Sequence, residues 1–225
     1  NLLFLYFCIS VQTVSAGIIV VAEKGNRFVK TLEKNNIAFI RKDNVNEALS
    51  VAQHHDGLLL INNNKSLGQQ LSPTQQNAIT KKKLHVYLEY PYFINTQKPI
   101  VHKINLERGV INSSAIANVP HLSLFTLNDH SFYEYAVKKP LTVIAKVAGF
   151  ENAEYGLDST IVYPGLFRKD QYLISSVSLS DFTESRFGPN EILNNLWVYI
   201  LQQVGLKDIK VFQSKADVHP RFAKN

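Results

Sequence analysis

Short apolar runs alternate with segments of helical character through the first 90 residues of the chain. The runs are rich in branched side chains, as is typical of buried parallel strands, and they cover residues 17–23, 37–41, 57–62 and 85–90. Helices are predicted between them, ending at Asn35-Asn36, running from Asn44 to His55, and running from a capping box at Ser72 to Lys83. This β-α-β-α-β-α-β order predicts a doubly wound, mainly parallel α/β sheet with helices on both faces.

Strand patterns dominate the second half of the chain. They fall at residues 101–111, 121–128, 141–148, 160–163 and 171–180, with an irregular, aromatic and polar stretch at 129–139. We therefore expect an antiparallel β extension of the sheet, or a small β subdomain, over about residues 92–165. Segment 171–180 is predicted to return to the main sheet.

The last helix has the strongest apolar periodicity in the chain. Pro189 and Asn190 are expected to open it and Gly205 to end it. One apolar stripe runs along it, formed by Ile192, Leu193, Leu196, Trp197, Ile200, Leu201 and Val204. A further strand is predicted at residues 206–212, followed by a polar tail.

The N-terminal segment has the pattern of an export signal. Residues 1–16 carry no charge, and an apolar run from Leu2 to Val11 precedes Val14-Ser15-Ala16, which suits signal peptidase. The alternatives are a buried strand or a membrane anchor, but the run is too short for a stable membrane span. We expect residues 1–16 to be a signal-peptide remnant, residues 17–213 one α/β domain, and the protein to be secreted or periplasmic.

Composition excludes several kinds of chemistry. The only cysteine, Cys8, lies in the predicted signal, so a cleaved chain has no disulfide or cysteine nucleophile. The formal charge of +6 comes from scattered lysines without a nucleic-acid-binding motif, so we expect no nucleic-acid partner and regard polysaccharide as the more plausible polyanion. The lone Gly25 makes no dinucleotide fingerprint, and the histidines have no metal-ligand spacing, so no cofactor or metal is predicted.

Candidate site residues follow from where parallel strands end. Ligands of open α/β sheets bind beyond the carboxyl ends of the strands, which here carry Glu23, Asn62, Asn63, Glu89 and Tyr90. Glu23 and Glu89 are candidates for an acid/base pair, and the alternative is that both are solvated loop carboxylates or helix caps.

Two further sites lie in the second half. Asp129 and His130 are adjacent and could meet one ligand, or form a surface turn. Arg186 precedes the last helix, where it could hold an anion or serve packing. His130 joins Glu23 and Glu89 as a catalytic candidate, and Asp129 and Arg186 join the ligand-binding set.

Five groups of residues, in order, resemble a known module. They are Val147-Ala148-Gly149-Phe150, Ala153-x-Tyr155-Gly156-Leu157, Leu179-Ser180-x-Phe182, Arg186-Phe187-x-Pro189 and Leu196-Trp197-x-x-Ile200-Leu201. The pattern resembles the flavodoxin-like, class I glutamine-amidotransferase-like module that precedes an (α/α)6 toroid in exported bacterial glycoside hydrolases. The resemblance implies a strand order of 2-1-3-4-5 and makes residues 214–225 a linker to a C-terminal catalytic module of the same polypeptide. The chain departs from true amidotransferases because Asn62-Asn63-Asn64, not a nucleophile, follows the third strand.

Three functions remain open at this stage. The first is a non-catalytic accessory or scaffold module of a secreted carbohydrate-active enzyme. The second is a small hydrolase that uses Glu23, Glu89 or His130. The third is a carbohydrate-binding module, which requires exposed aromatic side chains such as Tyr90, Tyr92 and Tyr133.

Overall fold

Strands and helices alternate early in the chain and strands prevail later. The computed structural model describes residues 17–61, 69–93, 100–127, 131–181 and 190–214. The elements through residue 93 are β1 (Ile18–Val21), α1 (Arg27–Lys34), β2 (Ile40–Lys42), α2 (Val45–Val51), β3 (Gly57–Leu60), β4 (Gln69–Leu71), α3 (Pro73–Lys81), β5 (His85–Glu89) and β6 (Pro91–Phe93). The later elements are β7 (Val101–Lys103), β8 (Arg108–Ile111), β9 (Leu124–Phe125), β10 (Ser131–Tyr133), β11 (Thr142–Ala145), β12 (Val162–Pro164), β13 (Leu166–Lys169), β14 (Tyr172–Ser175) and α4 (Asn190–Gln203).

The main sheet has six strands in the order β13-β14-β5-β3-β1-β2. All neighbouring pairs are parallel except β13 with β14, which is antiparallel. The predicted α/β class is confirmed, and so is the return of segment 171–180 to the main sheet through β14. The first four predicted strands, now β1, β2, β3 and β5, stand in the order 2-1-3-4, with β14 fifth.

Alternation along each buried strand gives the sheet two apolar faces. In β1, Ile18 and Val20 join the cluster that contains α1 and α4, whereas Ile19 and Val21 join the cluster that contains α2 and α3. Trp197 of α4 is fully buried, with its ring centroid 4.5 Å from that of Phe28. Helices therefore cover both faces, as the doubly wound pattern predicts.

Local side-chain bonds set the helix starts. The Asn44 side chain accepts the Glu47 N–H at α2, and both halves of the predicted capping box between Ser72 and Gln75 form at α3. Helix α1 ends at Lys34 with Asn35 as its C-cap, which agrees with the predicted stop at Asn35-Asn36, but α2 ends at Val51, short of the predicted His55. Helix α4 ends before Gly205, whose φ of 113° a residue with a side chain rarely adopts.

A second sheet, built from β12-β11-β8-β9 and antiparallel throughout, forms most of the predicted β extension. The single strand predicted at 101–111 is two strands, because the Glu107 carboxylate accepts the Asn105 and Leu106 N–H groups and turns the chain between β7 and β8. The stretch predicted to be irregular contains β10, which pairs antiparallel with β7.

Two features near the ends of the main-sheet strands differ from the predictions. A two-stranded parallel pair, β4 with β6, was not predicted. The strand predicted at 206–212 is wrong: Phe212 instead packs beside Trp197, and Gln213 bonds the side chain of Asn35. Apolar contact with the helical face, together with side-chain anchors, replaces strand pairing there.

Candidate functional site

Glu89 ends β5 in the middle of the main sheet, and it is completely buried. Four groups donate hydrogen bonds to its carboxyl. Oε1 accepts from the Ser180 N–H at 2.8 Å and the Tyr87 hydroxyl at 3.0 Å. Oε2 accepts from the Ser180 hydroxyl at 2.7 Å and the Ser178 hydroxyl at 3.2 Å. We call Tyr87, Glu89, Ser178 and Ser180 the Glu89 cluster.

Strand pairing brings the two halves of this cluster together. Strand β14 lies parallel to β5 with Ser175 opposite Glu89, so the chain leaving β14 runs past the end of β5. The Tyr90 N–H then donates to the Ser175 carbonyl at 3.0 Å, with Tyr90 in the left-handed region at φ 49°. Segment 176–180 is buried and is not a strand, and within it Ser178 and Ser180 direct their hydroxyls at Glu89.

Burial decides the protonation behaviour of the carboxyl. Removal from water raises the pKa of Glu89 from 4.5 to about 7, although the bonds from Ser180, Tyr87 and Ser178 each act to lower it. Burial and the neighbouring carboxyl likewise raise the pKa of the Tyr87 hydroxyl well above 10. The groups that enclose the carboxyl include Ser178 and Ser180, which lie about 90 positions later in the sequence.

The structure does not bring Glu23 to this carboxyl. Strand β3 lies between β1 and β5, so the two strand ends are about 10 Å apart in the sheet. Glu23 is exposed beyond β1, whereas the whole carboxyl of Glu89 faces groups of its own chain. Glu23 is a solvated loop carboxylate, which is the alternative reading given above, and Glu89 is neither solvated nor a helix cap.

A group of tyrosines lies next to the Glu89 cluster. Tyr90 is fully buried and donates to the Ser131 carbonyl at 3.0 Å, and its ring meets that of Tyr133 edge-on at 5.2 Å. Tyr135 donates to the Pro91 carbonyl at 2.6 Å. Tyr133 is also buried, and its hydroxyl has no hydrogen-bond partner among the described residues. Because Tyr90 and Tyr133 are enclosed, they cannot form an exposed stacking surface for a sugar.

The remaining predicted site residues lie outside the described residues. They are Asn62, Asn63, Asp129, His130 and Arg186. Tyr87, Ser178 and Ser180 were not predicted as site residues. The available signal was the run Ser175-Ser176-Val177-Ser178-Leu179-Ser180, in which serines recur between apolar residues directly after a buried strand.

The described part of the chain contains no group of three or more His, Cys, Asp or Glu side chains arranged to hold a metal ion. Among the helices within those ranges, none combines the length and the apolarity that crossing a bilayer requires. A carboxyl with four internal donors can hold a proton and tie two chain segments together. It has no exposed atom with which to contact a ligand.

Comparison with known proteins adds no relative to this picture. No protein-family model matches the sequence, and a search of curated proteins finds no match either.

Proposed function

We propose that this chain is a non-catalytic accessory module of a secreted carbohydrate-active enzyme. The burial of Glu89 carries the non-catalytic part of the proposal. Burial raises the pKa of this carboxyl, and all four of its hydrogen bonds go to its own chain. A carboxyl so placed braces the end of β5 against segment 178–180.

The geometry disfavours glycoside cleavage at this edge of the sheet. That reaction usually needs two carboxyls about 5–10 Å apart that face a common sugar-sized cleft. Glu89 faces no cleft, and Glu23 is exposed on the far side of β3. Glutamine hydrolysis needs an activated nucleophile beside a base, and the only cysteine of the sequence is Cys8, in the predicted signal.

The carbohydrate context and the location rest on the sequence. The motifs over residues 147–201 resemble a module of exported glycoside hydrolases, and residues 1–16 have the pattern of a secretory signal. The partner we propose is a C-terminal catalytic module of the same polypeptide, and the compartment is extracellular or periplasmic. Determining the coding sequence beyond Asn225 tests this part: a reading frame that continues into a helical toroid supports it, and a stop codon directly after Asn225 refutes it.

The non-catalytic part is tested by turnover assays. The purified chain is incubated with glutamine and with a panel of neutral and acidic glycans, alongside Glu89→Gln and Glu23→Gln variants. We expect no turnover by any of the three proteins. Turnover that disappears in Glu89→Gln and persists in Glu23→Gln would overturn the accessory role and establish a hydrolase.

A further inference from the structure

A groove of 340 Å³ runs along β9, the outer strand of the four-stranded sheet, and shares no lining residue with the Glu89 cluster. Its lining combines apolar and charged side chains, among them Leu106, Glu107, Arg108, Phe125 and Phe150. The volume lies at the lower end of the range for small-molecule sites. Such a groove suits a ligand that is partly apolar and partly charged.

Phe150 is held out into water by a fixed turn. Its side chain is 71% exposed, yet the backbone on both sides is pinned. Gly149 has a φ of 124°, and a side chain there would meet the Asn152 carbonyl at 1.9 Å. The Glu151 carbonyl accepts the Leu124 N–H at 2.8 Å, and the Arg108 guanidinium donates to the Gly149 carbonyl. The exposed ring is therefore a preorganised surface.

The groove carries a cation that no carboxylate neutralises within the described residues. The neighbouring Glu107 carboxylate interacts with other groups than Arg108. Its Oε2 accepts the Asn105 N–H at 2.6 Å, and its Oε1 lies 3.6 Å from Lys146 Nζ. Arg108 bonds only the neutral Gly149 carbonyl in that part of the chain. A guanidinium has five N–H donors, so Arg108 keeps donors that can bind a carboxylate in paired geometry.

The backbone edge at the start of β9, beside the groove, is already paired with the 148–153 turn. This pairing restricts the kind of ligand that the groove can bind. Ser123 forms a β-bridge with Asn152, and the Leu124 N–H is bonded to the Glu151 carbonyl. An extended peptide that adds to a sheet needs free edge groups of this kind. The 148–153 turn takes them at the start of β9, so a ligand here is recognised by side chains.

We propose that this groove binds an acidic polysaccharide through one uronic acid residue. The apolar face of the sugar ring lies on Phe150, and the sugar carboxylate pairs with Arg108. The formal charge of +6 on the whole chain favours the approach of such a polyanion. The assignment deepens the proposed function by naming the glycan class, and it rests on that function for the choice of a sugar over other carboxylates.

Calorimetric titration with oligogalacturonate and with a neutral glucan oligomer of equal length tests this site. We expect the acidic oligomer to bind roughly tenfold or more tightly than the neutral one, and this preference to shrink as salt is added. Phe150→Ala, at an exposed position, should weaken binding of the acidic oligomer roughly tenfold. Arg108→Gln should remove the preference between the two oligomers.

Matched controls separate the groove from general effects. Tyr155 is 75% exposed but does not line the groove, so Tyr155→Ala should bind as the unmodified chain does. Arg27→Gln makes the same charge change on α1 and should keep the preference. Because Arg108 also pins the 148–153 turn, thermal unfolding of Arg108→Gln is measured, and Phe150→Ala decides the outcome if that variant does not fold.

Several results would overturn the groove assignment. They are equal affinity for the two oligomers, unchanged binding by Phe150→Ala, and tighter binding of an acidic peptide than of oligogalacturonate. Absence of binding refutes the glycan site and leaves the non-catalytic proposal standing. Cleavage of the bound oligomer refutes the non-catalytic proposal and leaves the glycan site standing.

Discussion

Replacing Glu89 by glutamine should remove a pH-dependent loss of stability from this protein. The pKa of Glu89 is about 7 in the folded chain and near 4.5 when the side chain is free in water. Between these values the folded state holds a proton that the unfolded state releases, so stability falls as pH rises. The gap between 4.5 and about 7, at about 1.4 kcal/mol per pH unit, corresponds to roughly 3 kcal/mol. That stability is fully present below pH 4.5 and is lost as pH rises through about 7.

Glutamine fits the geometry of the protonated acid. Oε1 faces the Ser180 N–H and the Tyr87 hydroxyl, both donors as placed, and an amide oxygen can take its position. Oε2 faces the Ser178 and Ser180 hydroxyls, which can rotate to accept from an acid O–H or from an amide NH₂. Glu89→Gln therefore keeps the hydrogen bonds and removes the charge.

Denaturant titrations at several pH values measure the effect. Trp197 is the only tryptophan and is buried, so its fluorescence reports unfolding. Between pH 5 and 9 the variant should gain roughly 2–3 kcal/mol relative to the unmodified chain. Glu23→Gln, at an exposed position, should follow the unmodified chain. If the free energies of unfolding of the two proteins differ by a constant amount across this range, the raised pKa is refuted. If the unmodified chain instead gains stability over the variant as pH rises, the four donors outweigh burial.

Three further predictions concern packing and processing. Trp197→Ala should lower the free energy of unfolding by about 3–5 kcal/mol, since its ring contacts Phe28, Tyr87 and Phe212 and its Nε1–H donates to the Leu179 carbonyl; a loss below about 1 kcal/mol in a urea titration would contradict this. Tyr133→Phe should leave stability unchanged or raise it by up to about 1 kcal/mol in thermal or urea unfolding, because it deletes a buried hydroxyl that has no partner among the described residues; a clear loss would show that the hydroxyl is bonded. Terminal sequencing of exported protein should find Gly17 at or close to the first position, and residues 2–7 still present would end the signal-peptide prediction.

Elements governed by neighbouring residues were predictable from the sequence. Strands β1 and β3 of the main sheet are continuous apolar runs, and α3 begins at a capping box whose two bonds span three residues. Helix α4 repeats apolar positions at the helical period over four turns, and Trp197 on that stripe is fully buried. In each case the residues that determine the element lie close together in the sequence.

The Glu89 cluster was not predictable in the same way. Ser178 and Ser180 reach Glu89 only because β14 pairs with β5, and pairing across about 90 residues leaves no local pattern. The sequence also placed residues 171–180 in one strand, which would carry Ser178 and Ser180 straight on past the end of β5. Strand β14 ends at Ser175, and the following buried loop turns Ser178 and Ser180 to the same carboxyl.

The exposure of the Tyr90 and Tyr133 side chains could not be predicted from the sequence either. Both follow or end short strands, where aromatic side chains can face either water or the core. Pairing of β10 with β7 and the bond from Tyr90 to the Ser131 carbonyl enclose both rings. An aromatic residue in a polar segment is therefore a weak indication of a sugar-binding surface until the strand pairing is known. Phe150 is exposed for the opposite reason, because a glycine turn and two backbone anchors hold it away from the core.

The position of Glu89 in the sheet suggests a ligand-binding role, whereas its buried surroundings indicate a structural role. The surroundings are the stronger evidence. A carboxyl at the end of a central parallel strand stands where open α/β sheets usually bind ligands. Donors such as the Ser180 N–H and the Ser178 hydroxyl are also the groups that would orient a catalytic carboxylate. Here they come from residues packed over the carboxyl, at distances of 2.8 and 3.2 Å, and the side chain has no exposed surface. A ligand would have to displace these bonds and leave buried donors unsatisfied, at a cost of about 1–3 kcal/mol for each. That cost favours a bracing role for Glu89 and places the search for a ligand at the exposed Phe150 and Arg108 groove.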